Sequence, residues 1–189
     1  LKFMGGQFNY HHTELSAEKR IWLSSFGHID ALVSAGKVWN KVPFPLLCMP
    51  PVSLTYLMDA NDQTFNLMRN LEFLNDRYVF WSALWDLNGK VFNRVPLIKK
   101  LKWREFVGIK GMWGHLTSKN NPYLHPNDPT LFKFPAESHI MSNQPYWEAL
   151  VGIHNIFKFF GVDYVRRLTY RNLPNVDMWG LRFNFMMSF

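Results

Sequence analysis

From residue 179 to residue 189 the chain alternates. Trp179, Leu181, Phe183, Phe185, Met187 and Phe189 are large and apolar, and Gly180, Arg182, Asn184, Met186 and Ser188 lie between them. A side-chain period of two marks a strand with two unlike faces. The apolar face is long and aromatic at both ends. This predicts a lipid-facing terminal strand of an outer-membrane barrel, apolar outward and polar inward, with aromatic girdles at the two interfaces. The alternative is a last strand of a soluble sandwich or barrel.

Similar patterns run upstream. Residues 1–10 read as the tail of a strand and 11–19 as a polar link. Residues 20–39 read as one long extended segment in which Gly27 and Gly36 suit bends or bulges. Ser24, His28, Asp30 and Ser34 share one parity there, hence one face. Strands follow at 72–91, 102–116, 146–155 and 162–171. Residues 40–71 and 117–145 are long connections rich in Pro, Asn and Asp, whereas 92–101, 156–161 and 172–178 are short. Within the first long connection, 65–71 reads equally as a short helix or as the rising end of the next strand.

Connection lengths carry a second signal. Outer-membrane barrels have short periplasmic turns and long outer loops. With the C-terminus in the periplasm, 40–71, 117–145 and 172–178 fall outside, and 92–101 and 156–161 fall inside. Both long connections then share the outer side. The fold class expected is all-β: an antiparallel transmembrane β-barrel, or the C-terminal strands of a larger one.

Composition narrows the class. Apolar residues make up 48% of the 189 and aromatic residues 17%, yet the mean hydropathy is −0.16. The apolar residues are therefore spread in alternation. No run of 18 apolar residues exists, so no transmembrane helix is encoded. Residues 42–52 carry four prolines and cannot be a helix. The net charge of +7 suits nucleic acid or anionic lipid. There is no long Lys/Arg run and no RNA-binding motif, so no nucleic-acid partner is expected. The single cysteine, Cys48, excludes an intrachain disulfide and disfavours a thiolate metal site. No signal peptide stands at Leu1, and the chain is expected to be a piece of a longer one. Without repeat or linker, residues 1–189 read as a single domain, a C-terminal barrel fragment.

Candidate chemistry is sparse. His28 and Asp30 project to one side, as do Glu148 and His154, and Arg182 sits on the polar parity of the last strand. Each is read as polar lumen lining in preference to a metal or acid–base site, because barrel interiors are polar. Glu105 is read as interfacial snorkelling or a register change. The adjacent His11 and His12 are read as solvated. Of Arg166 and Arg167 one should point outward, which calls for a bulge, a lipid phosphate or a partner. The eight tryptophans fit interface belts, or sugar platforms in a binding module. No catalytic residue, metal or cofactor is expected.

Several stretches together carry a resemblance: AGKVWNKVPFPLL (35–47), FNLM (65–68), EFLNDRYV (72–79), LNGKVFNRVPLIKKLKWRE (87–105) and GIHNIFKFF (152–160). They resemble the C-terminal barrel portion of a large Bacteroidota outer-membrane family of uncharacterised function. Its full-length members carry a carboxypeptidase-regulatory-like, immunoglobulin-like domain ahead of the barrel. The resemblance implies location and fold and no established activity.

The function expected is that of a non-enzymatic integral outer-membrane protein, a transport, assembly or surface-complex component. Its partners would be the lipid bilayer and lipopolysaccharide, the assembly machinery through the C-terminal strand, and further barrel strands or other outer-membrane subunits. An odd count of about seven strands is few for closure, and an open edge cannot face lipid. One alternative is an outer-membrane enzyme acting on lipid or lipopolysaccharide, for which Ser24 or Ser34 with His28 is the nearest nucleophile–base pair. The other is a soluble carbohydrate-binding β-domain.

Overall fold

The computed structural model describes residues 9–53, 55–56 and 64–185. Met187 and Phe189 of the terminal strand lie outside the described residues, as does most of the expected strand tail at 1–10. The rest is all-β. Seven strands, β1 (His12–Trp22), β2 (His28–Val38), β3 (Arg77–Asp86), β4 (Arg104–His115), β5 (Tyr146–Ile156), β6 (Phe160–Arg167) and β7 (Trp179–Phe185), form one sheet. Each strand pairs antiparallel with the next in sequence, in the order β1-β2-β3-β4-β5-β6-β7. The sheet does not close into a barrel. The only described α-helix is the single turn α1 (Pro96–Lys99).

One expectation is corrected. Residues 11–19 are not a link and 20–39 are not one strand. His12–Trp22 pairs over its whole length with His28–Val38, from His12 opposite Val38 to Trp22 opposite His28. The chain reverses at residues 23–27, where Gly27 has φ +77° and a Cβ would lie 1.9 Å from the Asp86 carbonyl oxygen. Only glycine tolerates both that conformation and that approach. Other strand boundaries move by a few residues: β6 ends at Arg167, and 157–159 alone make the β5–β6 turn. Residues 65–71 form neither helix nor strand; bridges at Val52–Phe65, Cys48–Asn75 and Phe73–His139 pin the surrounding connection.

The meander gives the sheet two unlike ends. Connections 23–27, 87–103 and 157–159 emerge at one end, and 39–76, 116–145 and 168–178 at the other. The longer connections cover one sheet face. They contribute Val42, Leu47, Cys48, Leu74, Leu116 and Phe134 to one apolar cluster. Phe65, Met68, Phe73 and Met141 pack on Phe80, Met112 and Tyr146 in a second. Leu67 reaches Leu84, Leu150 and Val165 in a third.

Among the described residues neither edge strand, β1 or β7, pairs with a further strand. β1 is exposed at every residue. On the far edge of β7, the Phe183 N–H donates to the Tyr56 carbonyl at 2.6 Å, so the β2–β3 connection touches that edge.

Candidate functional site

Pairing register sorts the side chains onto two faces. On one lie Ile29, Ala31 and Val33 of β2, and Val79, Trp81, Ala83 and Trp85 of β3. They continue into Val107, Ile109 and Trp113 of β4 and Trp147, Ala149, Val151 and Ile153 of β5. Val162 and Tyr164 of β6 and Trp179, Leu181, Phe183 and Phe185 of β7 complete the band. Much of it is open: Val33 is 51% exposed, Val151 57% and Phe185 56%. Its middle holds Ala83, Ile109 and Ala149 together with Trp81, which packs on Trp147 with ring centroids 5.0 Å apart. Trp85 stands toward the short-connection end, and Trp113, Trp147 and Trp179 stand toward the other. Phe159, Phe160 and Phe185 pack together with ring centroids 4.8–5.5 Å apart at the short-connection end. Arg166 also projects on this face, opposite Ala149 and two residues from Tyr164, the partner of Val151, with Nη1 3.3 Å from the Tyr164 hydroxyl.

The opposite face is charged and buried. Glu148 stands in register between Lys110 of β4 and Arg167 of β6, and all three are fully buried. Burying a charge requires partners, and the covering connection supplies them. The Glu148 carboxylate accepts the Asn66 and Leu67 N–H groups at 3.0 and 2.9 Å and the Tyr146 hydroxyl at 2.6 Å. Lys110 Nζ donates to the Thr64 carbonyl at 2.9 Å and to Asn66 Oδ1 at 3.1 Å. Arg167 makes a two-point pair with Glu72 at 2.5 and 3.2 Å and lies over the Tyr146 ring. Arg182 donates to the Asn66 carbonyl. The charges of four strands thus hold one strap, residues 64–72, against the sheet.

A second knot ties the two long connections. Asp76 accepts from the Thr117 backbone N–H at 3.0 Å, from the Thr117 hydroxyl and from Asn120 at 2.9 Å; Asn120 in turn accepts the Val42 N–H at 2.9 Å. Cys48 is buried beside it, and burial pushes its thiol up to about 11.

A third cluster lies toward the short-connection end. His154 Nε2 is 2.9 Å from Asp163 Oδ1, and Asn184 donates to Asp163 Oδ2 at 3.0 Å. His154 stacks on Phe106 at 4.4 Å. Gly152 and Gly161 make the room: a Cβ on either would fall 1.7 Å from Asp163 Oδ1 or 2.0 Å from Asn184 Oδ1. The cleft above it, about 60 Å³, is lined by Asp86, Arg104, Lys158 and Phe159 among others and by no hydroxyl or thiol side chain. The His–Asp pair can orient and hold a proton, and the cleft offers it no nucleophile.

The five polar residues singled out in the sequence, His28, Asp30, Glu148, His154 and Arg182, share this face. They do not form one site. His28 and Asp30 are 3.5 Å apart near the sheet edge, where Arg20 pairs with Asp30 at 2.6 and 2.8 Å. Glu148 and His154 sit six residues apart, about 20 Å along the strand, in separate clusters. Ser34 is equally far from His28 and donates to Glu14 at 3.3 Å. Glu105 accepts the Phe92 N–H, so it fixes the β3–β4 connection. Among the described residues no group of three or more His, Cys, Asp or Glu side chains is placed to hold a metal. Periodicity missed Glu72, Asp76 and Asn120, which lie outside the strands. Asp163 carried a usable signal, since it shares a parity with Val165 and Arg167 in β6.

A sheet with its charges buried and one apolar face exposed defines an all-β protein unlike an ordinary soluble meander, whose open face is polar. The C-terminal domain of a family of unknown function, DUF5686, matches residues 1–125, and the chain belongs to that family. No curated protein and no solved structure matches it.

Proposed function

We propose that this chain is the C-terminal part of an integral outer-membrane β-barrel, with its open apolar face against lipid and its charged face lining the interior. The carrying observation is the inversion of burial across one sheet: Val151 is 57% exposed while Glu148, three residues before it, is fully buried. In water such an open apolar face is costly, and in hydrocarbon it is the required surface. Strands β2 to β5, 10–12 residues long, match the 9–11 or so residues a tilted transmembrane strand needs. Rings toward both ends of the band suit interfacial girdles.

Connections 23–27, 87–103 and 157–159 then face the periplasm, and 39–76, 116–145 and 168–178, which include the two longest, face the exterior. Closure comes from further strands pairing with the open edges of β1 and β7, the newcomer taking the Phe183 N–H from Tyr56. Such strands belong to the same longer chain, preceded by the regulatory-like domain that the resemblance to Bacteroidota proteins implies, or to another subunit. The strap fills the interior next to β3–β7, which suits an assembly or surface-complex component better than an open pore. No residue of the interior is assigned to catalysis.

The test is extraction of the full-length protein from cells. Release only by detergent, with a gel mobility that changes on heating, is the expected result. A monodisperse monomer in detergent-free buffer would refute the reading and favour a soluble β-domain, whose glycan binding could then be assayed.

A further inference from the structure

The two ends of the sheet differ in charge as well as in length. Connections 23–27, 87–103 and 157–159 contain six cations, Lys90, Arg94, Lys99, Lys100, Lys102 and Lys158, and no Asp or Glu. Connections 39–76, 116–145 and 168–178 hold five Lys or Arg and seven Asp or Glu. The positive end is also apolar: Leu97 is 80% exposed, and Val91, Val95 and Leu101 are exposed on the same connection. Beneath them is an open recess of about 460 Å³, lined by Lys99, Lys102, Arg104, Trp103 and the side chains of Asn88, Asn93 and Asn155. Its lining holds three cations and three amides and no carboxylate of its own, with Asp86 behind it 3.8 Å from Arg104.

We infer that this recess binds the phosphate of an anionic glycerophospholipid, with Lys99, Lys102 and Arg104 on the headgroup and Leu97 and Leu101 against its acyl chains. The inference rests on the membrane reading above, which sets this end at the periplasmic leaflet. A free phosphate would use the cations but not the apolar fringe. Clustered cations beside a membrane surface select anionic lipid, and each strengthens binding about fivefold. Guanidinium and ammonium donors suit phosphate oxygens, and an indole suits the interfacial depth.

The experiment is native mass spectrometry of the full-length protein in a zwitterionic detergent, with phosphatidylglycerol and phosphatidylcholine added in equal amounts. The expected result is preferential retention of phosphatidylglycerol. In the K99Q/K102Q/R104Q variant the preference falls on the order of 100-fold, whereas K133Q, at the opposite end, retains it. Lys99→Gln alone, on an exposed single-turn helix, loses about fivefold and guards against misfolding of the triple variant. Equal retention of both lipids by wild-type protein would overturn the inference and leave the membrane reading intact. Displacement of the lipid by millimolar inorganic phosphate, or stronger retention of lipopolysaccharide, would overturn the glycerophospholipid assignment. A protein that needs no detergent would instead sink the reading beneath it.

Discussion

The two faces of this sheet are built from neighbouring residues of the same strands, yet they obey opposite rules. Around Glu148 the charges are buried and each finds partners on neighbouring strands or in the strap. Around Val151 the residues are apolar, Arg166 and Glu105 apart, and touch little beyond their own sheet. The first face would be costly in any solvent without the strap. The second is costly only in water. Burial of charge is therefore explained within the molecule, and exposure of apolar surface points to what surrounds it.

Breaking the charged face should have the largest effect. Glu72→Ala leaves the Arg167 guanidinium buried without its carboxylate, a loss of about 3–5 kcal/mol. The check is the urea midpoint of the detergent-solubilised protein, and an unchanged midpoint would show that the strap is not held by this pair. On the other face, Val151→Arg distinguishes the two solvents. It should cost about 2–4 kcal/mol at the bilayer midplane, but would stay within about 0.5 kcal/mol on a water-exposed surface. Refolding into lipid vesicles measures it.

Smaller effects sharpen the contrast within the charged face. Asp163→Asn keeps the shape but removes the charged acceptor shared by His154 and Asn184. The expected loss is about 1–3 kcal/mol by urea titration. Asp30→Asn, at the sheet edge, breaks an ion pair whose Arg20 side chain is half exposed. It should cost under about 1 kcal/mol, and a larger loss would mean that this edge is not open to solvent.

How much of this was legible follows from what periodicity can report. Alternation is strict in β7, and in β4 and β5 one parity stays mostly apolar despite Glu105, so the faces of Val107, Val151 and Leu181 could be read from it. β1 was not legible. Its sequence HTELSAEKR has no apolar alternation, and it is a strand because β2 offers it a full-length partner, a case of tertiary context overriding local pattern. Gly27 was visible, but one glycine reads equally as a bend within a strand or as a hairpin reversal. In the interior, parity gave the direction of Glu148, His154 and Arg182 but not their partners. Glu72 lies 95 residues from Arg167 in the chain, and its place in an irregular strap leaves no period to follow. The basic recess was visible only as a short link at 92–101 with several Lys and Arg, and Lys102 and Arg104 read as the start of the next strand. Its lining becomes apparent when the folded 87–103 connection and the end of β5 bring Asn88, Trp103 and Asn155 together.

The central claim is that hydrocarbon lies against the open face. It is tested most directly by a nitroxide at V151C in a C48S background, with the full-length protein in lipid vesicles. The account predicts frequent collisions with lipid-soluble oxygen and few with a water-soluble nickel chelate, and the reverse at K133C. Nickel access at V151C as high as at K133C, or shielding from both reagents, would contradict it.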